Sequence, residues 1–287
     1  MKWFKRILIC ILLLVVGVLA FSAATWYMVR GTPEWYRPAK GYDEAVARRA
    51  EEEVTHVQSW VAKAQTQPST QSVEPITITL TSDELNAFFT KWKTAKNWDA
   101  KIDRYLANPQ IVLHNKRLIL AGTVRNLQVM DGTVMSLHFE PRLDADGKLN
   151  LDLVKVLAGK VPMPEAVWSG ELDRLKGVMS ASLPEMQGKS KVLPDGSFNS
   201  EAASVAMAKL LLHTLNHEAT APVVFVPFDE DQKHRIKVMP MKLTGITVAD
   251  QTLKLTAVPL DEKQRREELD RIREPIDSPT AVAKTGE

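Results

Sequence analysis

Apolar residues at the start of the chain form one continuous run. Ile7 to Val29 are 23 consecutive uncharged positions. At ~1.5 Å per residue, a helix of this length covers about 34 Å, enough to cross a hydrocarbon core of ~30 Å. Lys2, Lys5 and Arg6 precede the run, and basic residues there favour a cytoplasmic N-terminus. The pattern predicts a transmembrane anchor at residues 1–30 of a single-pass cell-membrane protein whose main domain is extracytoplasmic.

A cleaved signal peptide is the alternative for the same segment. Ser22-Ala23-Ala24 offers small residues for cleavage, and the stretch from Ile7 to Phe21 has a suitable length. Trp3 near one end and Trp26 at the other are typical of the aromatic belts of retained anchors. Both interpretations place the remainder of the chain outside the cytoplasm.

Residues 31–74 have little to bury. Two prolines within residues 31–41 predict a short stiff spacer, and the polar residues 65–74 predict a linker. Between them, residues 42–63 carry apolar positions at intervals of three and four, which predicts an amphipathic helix. Its narrow stripe consists of Val46, Ala50, Val54, Val57, Val61 and Ala64. Such a helix either packs lightly against the body or a partner, or is a solvated stalk.

A compact domain is predicted for residues 75–260. Ile76, Ile78 and Leu80 alternate with threonines, as in a half-buried strand. Thr81 and Glu84 have the spacing of a capping box, which opens a helix. Apolar runs around polar turns then predict hairpins at 111–120 and 135–156, with glycine at the second turn. Helices at 164–183 and 199–215 and a buried strand at 223–226 follow.

The last predicted hairpin, residues 236–255, is informative about the shape of the sheet. Its apolar positions change parity at Pro240 and again at Gly245. Since one extra residue inverts the face that each side chain meets, these changes predict bulges or bends. The fold class expected is therefore α+β, with a curved antiparallel β-sheet packed with two or three amphipathic helices and preceded by one transmembrane helix.

Large apolar side chains on the helix that follows Thr81, on the helix at 164–183 and on the last hairpin form a candidate ligand site. They either fill the protein's own core or line a groove for an acyl chain or another apolar ligand, since Met and aromatic side chains adapt well to such ligands. The residues of this predicted groove are Leu85, Phe88, Phe89, Trp92, Trp168, Leu172, Leu175, Met179, Met239 and Met241.

Charge and candidate chemistry exclude several other classes of protein. Lys+Arg 37 against Asp+Glu 35 gives a net charge of +2, too balanced for the dense basic face of a nucleic-acid binder. A single cysteine excludes an intramolecular disulfide framework. His213 and His217 have the i, i+4 spacing of metal ligands on one helix, but Thr214 and Asn216 stand where zinc proteases carry glutamate. We expect no catalytic residues, no metal and no cofactor, hence no enzyme.

Residues 261–287 are rich in charge and poor in apolar side chains. Such a composition cannot bury enough surface to join a core. It predicts a charged, largely disordered tail.

Three stretches within residues 76–258 resemble bacterial YpmS-like membrane-anchored proteins. Leu80 to Ala87 is similar to their strand followed by an S/T-x-x-x-L-N helix. Asp146–Leu151 leading to Gly159–Pro164 is similar to their D-G-x-L-x-L and G-x-x-P-x-P segments, and Leu243–Val248 with Leu253–Leu255 is similar to their closing hairpin. The resemblance implies an extracytoplasmic α+β domain similar to tubular lipid-binding folds, and it carries no catalytic residue.

The expected function follows from the anchor and from the lack of a catalytic constellation. We expect a membrane protein whose external domain is a non-catalytic envelope scaffold or interaction module, with another envelope protein as its partner. The alternative is the binding of lipid or another apolar ligand in the predicted groove.

Overall fold

The structure is a computed structural model. It describes residues 24–37, 43–66, 74–95, 106–126, 130–189, 197–198, 200–230 and 236–273. The predicted anchor falls mostly on residues 1–23, which lie outside the described residues, and residues 24–30 are helical. Within the described ranges, no helix has the length and apolar character needed to cross a membrane.

Besides the helical residues 24–30, five helices of the described ranges are labelled in chain order. They are α1 (Glu44–Thr66), α2 (Ser82–Ala95), α3 (Glu165–Lys189), α4 (Ser200–Leu215) and α5 (Glu262–Arg273). Helix α3 continues through Pro184, past the end predicted at residue 183. Helix α5 occupies the start of the predicted charged tail, where pairs one turn apart such as Lys263 and Glu267 support an exposed helix. Residues 274–287 lie outside the described residues.

In the part of the chain that the structure describes, ten strands form two antiparallel sheets of five strands each, whereas the sequence predicted one curved sheet. The strands are β1 (Ile76–Thr81), β2 (Leu106–His114), β3 (Arg117–Val124), β4 (Val134–Leu143), β5 (Leu149–Ala158), β6 (Val161–Pro162), β7 (Ser197–Phe198), β8 (Val223–Glu230), β9 (Ile236–Ala249) and β10 (Thr252–Pro259). We call the sheet of β1, β7, β8, β9 and β10 sheet A, and the meander β2-β3-β4-β5-β6 sheet B. The prediction of an α+β fold with antiparallel strands and helices is confirmed.

Sheet A contains one of the two irregularities predicted from parity. Thr256 pairs with Gly245, but Ala257 pairs with Leu243, so Thr244 is an extra residue on β9. Leu243 and Ile246 can therefore pack into the same apolar cluster although they are three residues apart. The bulge predicted at Gly245 is confirmed.

No bulge lies at Pro240, where the sequence predicted a bulge or a bend. Pro240 pairs with Phe225, and the pairing of β8 with β9 is regular from Val223 opposite Lys242 to Pro227 opposite Val238. The register shift of this ladder lies on β8 instead, between Pro227 and Asp229. The apolar parity near Pro240 therefore does not mark an extra residue on β9.

The turn between β4 and β5 is built as the sequence predicted, with Gly147 at a positive φ of 72°. The Asp144 carboxylate accepts hydrogen bonds from the backbone N–H groups of Asp146 (3.0 Å) and Lys148 (2.8 Å). These bonds, that of Lys148 first, hold the pKa of Asp144 below its usual range. Asp144 therefore acts as the side-chain cap of a turn.

The capping box at the start of α2 is confirmed. The Thr81 N–H donates to Glu84 Oε2 at 2.7 Å, and the Glu84 N–H donates to Thr81 Oγ1 at 3.2 Å. Both bonds use backbone donors that a helix N-terminus leaves without intrahelical partners. They fix the point at which the chain leaves β1 of sheet A and turns into a helix.

Helix α2 then closes the outer edge of sheet B. The Ile111 N–H donates to Asn86 Oδ1 and Asn86 Nδ2 donates to the Ile111 carbonyl, both at 2.7 Å. Ser82, one turn earlier, accepts the Leu113 N–H at 3.0 Å. Ser82 and Asn86, one turn apart on α2, thus form the hydrogen bonds that a further strand would make with Leu113 and Ile111. They block strand pairing at this edge. Sheet B ends there.

Helix α1 packs against the body of the protein. Val57 is buried in one apolar cluster with Met241, Leu243 and Ala257 of sheet A, and Trp60 packs against the same cluster. The amphipathic stripe thus has a partner surface within the chain. Of the two alternatives for this helix, packing is correct and the solvated stalk is wrong.

Candidate functional site

Four residues of the predicted groove belong to three different apolar clusters. Leu85 of α2 packs against a cluster of Leu113, Val248 and Leu253. Met241 is fully buried in the cluster that includes Val57. The first of these clusters joins α2 to both sheets, and the second joins α1 to sheet A.

The third cluster lies between sheet B and α3. Trp168 and Leu172 of α3 pack against Phe139, Leu153 and Val156 of sheet B. The Trp168 indole N–H also donates to the Met163 carbonyl at 3.2 Å, which satisfies the polar end of this half-buried side chain.

The clusters share members, so they form one chain of contacts through the interior. Leu118 packs against both the Leu85 and the Trp168 clusters. Ile246 and Leu255 pack against both the Leu85 and the Met241 clusters. The apolar side chains therefore reach one another as a packed interior, in which Trp168 and Met241 occupy separate clusters.

The remaining residues of the predicted groove lie on α2, α3 and β9. Phe88, Phe89 and Met179 are half-buried. Trp92 lies in α2, Leu175 in α3 and Met239 in β9, and their side chains are outside the described part of the structure.

Sequence reasoning missed a buried polar pair on β4. Ser136 Oγ and His138 Nε2 are 3.0 Å apart, and the two residues are only 1% and 5% exposed. They stand two residues apart, so the alternation of a strand places both on one face of sheet B. The alternation could have predicted that the two side chains share a face. It could not predict that another segment of the chain buries that face.

Burial and charge keep His138 neutral. Desolvation, followed by the positive charges of Lys155 and Arg117 and by His114, lowers the pKa of His138 to about 4. A neutral histidine beside a serine hydroxyl can in principle act as a base towards a nucleophile. Here both side chains are enclosed, so no substrate reaches the serine, and the pair is a polar contact inside the fold.

The covering segment is residues 31–37, which the sequence predicted to be a stiff spacer. The Tyr36 hydroxyl donates to the Asn108 carbonyl at 3.1 Å and lies 3.2 Å from Thr123 Oγ1, and Tyr36 is 4% exposed. Trp35 meets the His138 ring edge-on, with 5.6 Å between centroids. We call this segment the strap. Tyr36 belongs to the core of sheet B and Trp35 packs against it, so this part of the predicted spacer is attached to the sheet.

The helical residues 24–30 end against the turn between β5 and β6. The Met28 carbonyl accepts the N–H groups of Gly31 and Lys160, both at 3.1 Å. Gly159 has a positive φ of 58°, and a methyl group added there would overlap the carbonyl oxygen of Val29. Glycine is thus required at this turn both by its backbone conformation and by the close approach of the helix end.

The two candidate metal ligands do not share a helix face. Helix α4 ends at Leu215, and His217 follows in a left-handed conformation with φ 56°. His213 Nδ1 lies 2.8 Å from Glu218 Oε2 instead. Within the described ranges, no group of three or more potential metal-ligating side chains occurs. The i, i+4 geometry considered from the sequence is therefore wrong.

Comparisons with protein-family models, with curated proteins and with solved structures give no match to this chain. The resemblance to YpmS-like proteins therefore stays a prediction.

Proposed function

We propose that this protein is a single-pass membrane protein whose extracytoplasmic domain is a non-catalytic interaction module or scaffold of the cell envelope. We also propose kinship with the YpmS-like proteins, on the three stretches quoted above. The observation that carries the proposal is the use of Leu85, Trp168 and Met241 in packed interior clusters. Side chains that fill the protein's own core leave the outer surface as the part that meets partners.

The energetics of packing favour this reading over a ligand groove. Burying one large apolar side chain contributes about 1.5–3 kcal/mol relative to leaving it exposed. A lipid that separated sheet B from α3 would have to replace the contacts of Trp168 and Leu172 with Phe139, Leu153 and Val156. These contacts already join the apolar side chains of the two elements.

Lipid analysis of the purified full chain tests the proposal. We expect solvent extraction followed by mass spectrometry to yield no apolar molecule in a stoichiometric amount, beyond the detergent and the annular lipid that any membrane anchor retains. A control with the same anchor and an unrelated external domain defines that annular background.

The alternative, lipid or apolar-ligand binding, predicts the opposite result and a specific dependence on the interior. A stoichiometric ligand that is lost in Trp168→Asp but kept in Val167→Asp, with both variants folded, would establish the groove and refute the scaffold. Val167 is a matched control because it precedes Trp168 on α3 and is exposed. If the native chain, Trp168→Asp and Val167→Asp all retain only the annular lipid, the result supports the scaffold.

A further inference from the structure

The end of the predicted anchor and sheet B meet directly. Val29 is the last residue of the uncharged run, and it is in contact with Gly159 in the β5–β6 turn. Ala158 pairs with Val161, so Gly159 and Lys160 are the two residues of a tight turn. Any bilayer that contains the anchor therefore has this turn at its surface.

One hydrogen bond joins the helix end to the turn, and a second holds the turn on sheet B. Lys160 donates its N–H to Met28, and Gly159 donates its N–H to the Val134 carbonyl of β4 at 2.7 Å. A few residues further along the chain, the strap continues the attachment through the buried Tyr36. Two attachment points on one sheet restrict rotation of the domain about the helix end, which a free linker would allow.

Exposed apolar side chains gather around the same turn. Among the described residues, the large apolar side chains that are most exposed include Tyr27 at 80% and Trp26 at 47%. Both precede Val29 by no more than one helical turn, about 5 Å along the axis. Arg30 lies over the Trp26 ring at 4.7 Å. Aromatic rings beside basic groups are typical of the interface between hydrocarbon and lipid headgroups.

From these contacts we infer that the β5–β6 turn is the membrane-contact site of the external domain. It receives the end of the anchor helix, so the helix end and sheet B move as one body, and it places Lys160 in the phospholipid headgroup layer. This inference rests on the proposed anchor. The β4–β5 turn lies at the opposite end of β5, a strand of 10 residues, hence about 33 Å away.

Fluorescence quenching on vesicles tests the placement. Full chains lacking Cys10 (Cys10→Ser) receive one labelled cysteine, at Lys160→Cys or at Asp146→Cys in the distant β4–β5 turn. The vesicles contain phosphatidylcholine, phosphatidylglycerol and a lipid with a nitroxide on its headgroup. We expect quenching at position 160 to exceed quenching at position 146 several-fold. Equal quenching at the two positions in chains that float with the vesicles would overturn the inference and leave the anchor intact.

Two glycine variants test the contact between the helix end and the turn. Gly159→Ala adds a methyl group that overlaps Val29, whereas Gly147→Ala meets nothing within 4 Å. Both positions have positive φ, so both variants carry the same kind of backbone strain. We expect Gly159→Ala, and not Gly147→Ala, to speed amide exchange of Lys160 and to lower the ratio of quenching between positions 160 and 146.

The outcomes separate the inference from the proposed function. Chains that fail to float with vesicles would refute the anchor and the inference together. Floating chains in which Gly159→Ala behaves like Gly147→Ala in both measurements would refute the contact alone. If Gly159→Ala fails to fold, as judged by circular dichroism, the quenching ratio of the otherwise native chain still decides the placement.

Discussion

Asn86 is the side chain whose removal tests the closure of sheet B most sharply. Its carboxamide pairs with both backbone groups of Ile111 on the outer edge of β2, at 2.7 Å each. It thus takes the place of a neighbouring strand. Asn86→Ala removes both bonds, together with the bond from Asn86 Nδ2 to the Ser82 carbonyl at 2.7 Å. It leaves the N–H and the carbonyl of Ile111 without their partner.

The expected loss can be worked from these two groups. An enclosed backbone group left without its partner costs about 1–3 kcal/mol, and the half-buried position of Asn86 favours the lower part of that range. Alanine regains about 0.5 kcal/mol because asparagine is a poorer helix former inside α2. Two groups at about 1–1.5 kcal/mol each, less this gain, give an expected net loss of about 2 kcal/mol in the free energy of unfolding.

Chemical unfolding of the full chain in detergent, followed by tryptophan fluorescence, measures this loss. Amide exchange read by mass spectrometry should also show faster exchange at Ile111. Asn150→Ala is the matched control, because the Asn150 side chain makes one long bond of 3.3 Å to Asp144, and we expect it to cost less than ~1 kcal/mol. An Asn86→Ala chain as stable as the Asn150→Ala chain would refute the closure of the edge.

Three further expectations concern buried groups. The pKa of His138 is about 4 in the fold and 6.5 in the unfolded reference. The unfolded chain therefore takes up a proton first as the pH falls, so the free energy of unfolding should decrease by about 3 kcal/mol between pH 6.5 and pH 4. A His138→Gln chain whose stability has the same pH profile would contradict this. Tyr36→Phe should cost about 1 kcal/mol, while Tyr27→Phe, which is exposed, should be neutral; equal effects in thermal unfolding would count against the strap. Met241→Ala should cost about 2–5 kcal/mol, and a smaller loss in chemical unfolding would mean that its surroundings are loosely packed.

Local patterns in the sequence predicted most elements because each element repeats its own period. The alternation at Ile76–Leu80 and the capping pair Thr81 and Glu84 depend only on neighbouring residues, and both predictions hold. The bulge at Gly245 was also accessible, since an extra residue reverses parity on the strand that carries it. At Pro240 the same reasoning failed, because apolar residues on both faces of a covered strand also change the parity.

The division into two sheets depends on long-range pairing that no local period encodes. Ile76 and Ala257 are neighbours on adjacent strands although 181 residues separate them (257 minus 76). Asn86 contributes to the division by a side-chain hydrogen bond to Ile111. Neither contact leaves a signature in the spacing of apolar residues.

Burial of the strap and of the polar pair beneath it was equally inaccessible from the pattern. Trp35 and Tyr36 stand among prolines and charged residues, so no period of two or 3.6 marks them. The Tyr36 hydroxyl donates to the carbonyl of Asn108, which has φ 48° and lies at the register shift of β2 between Ala107 and Gln110. Trp35 of the strap meets the His138 ring edge-on, a contact that the alternation along β4 does not predict.

The most direct test of the tether on which the proposed function depends is the intact mass of the chain recovered from washed membranes of the native cell. We expect one species of 32.1 kDa that begins at Met1 and stays with the membrane fraction. A shorter chain that begins near Thr25 and is found in the soluble envelope fraction would contradict the anchor, and with it the placement of the β5–β6 turn at the bilayer surface.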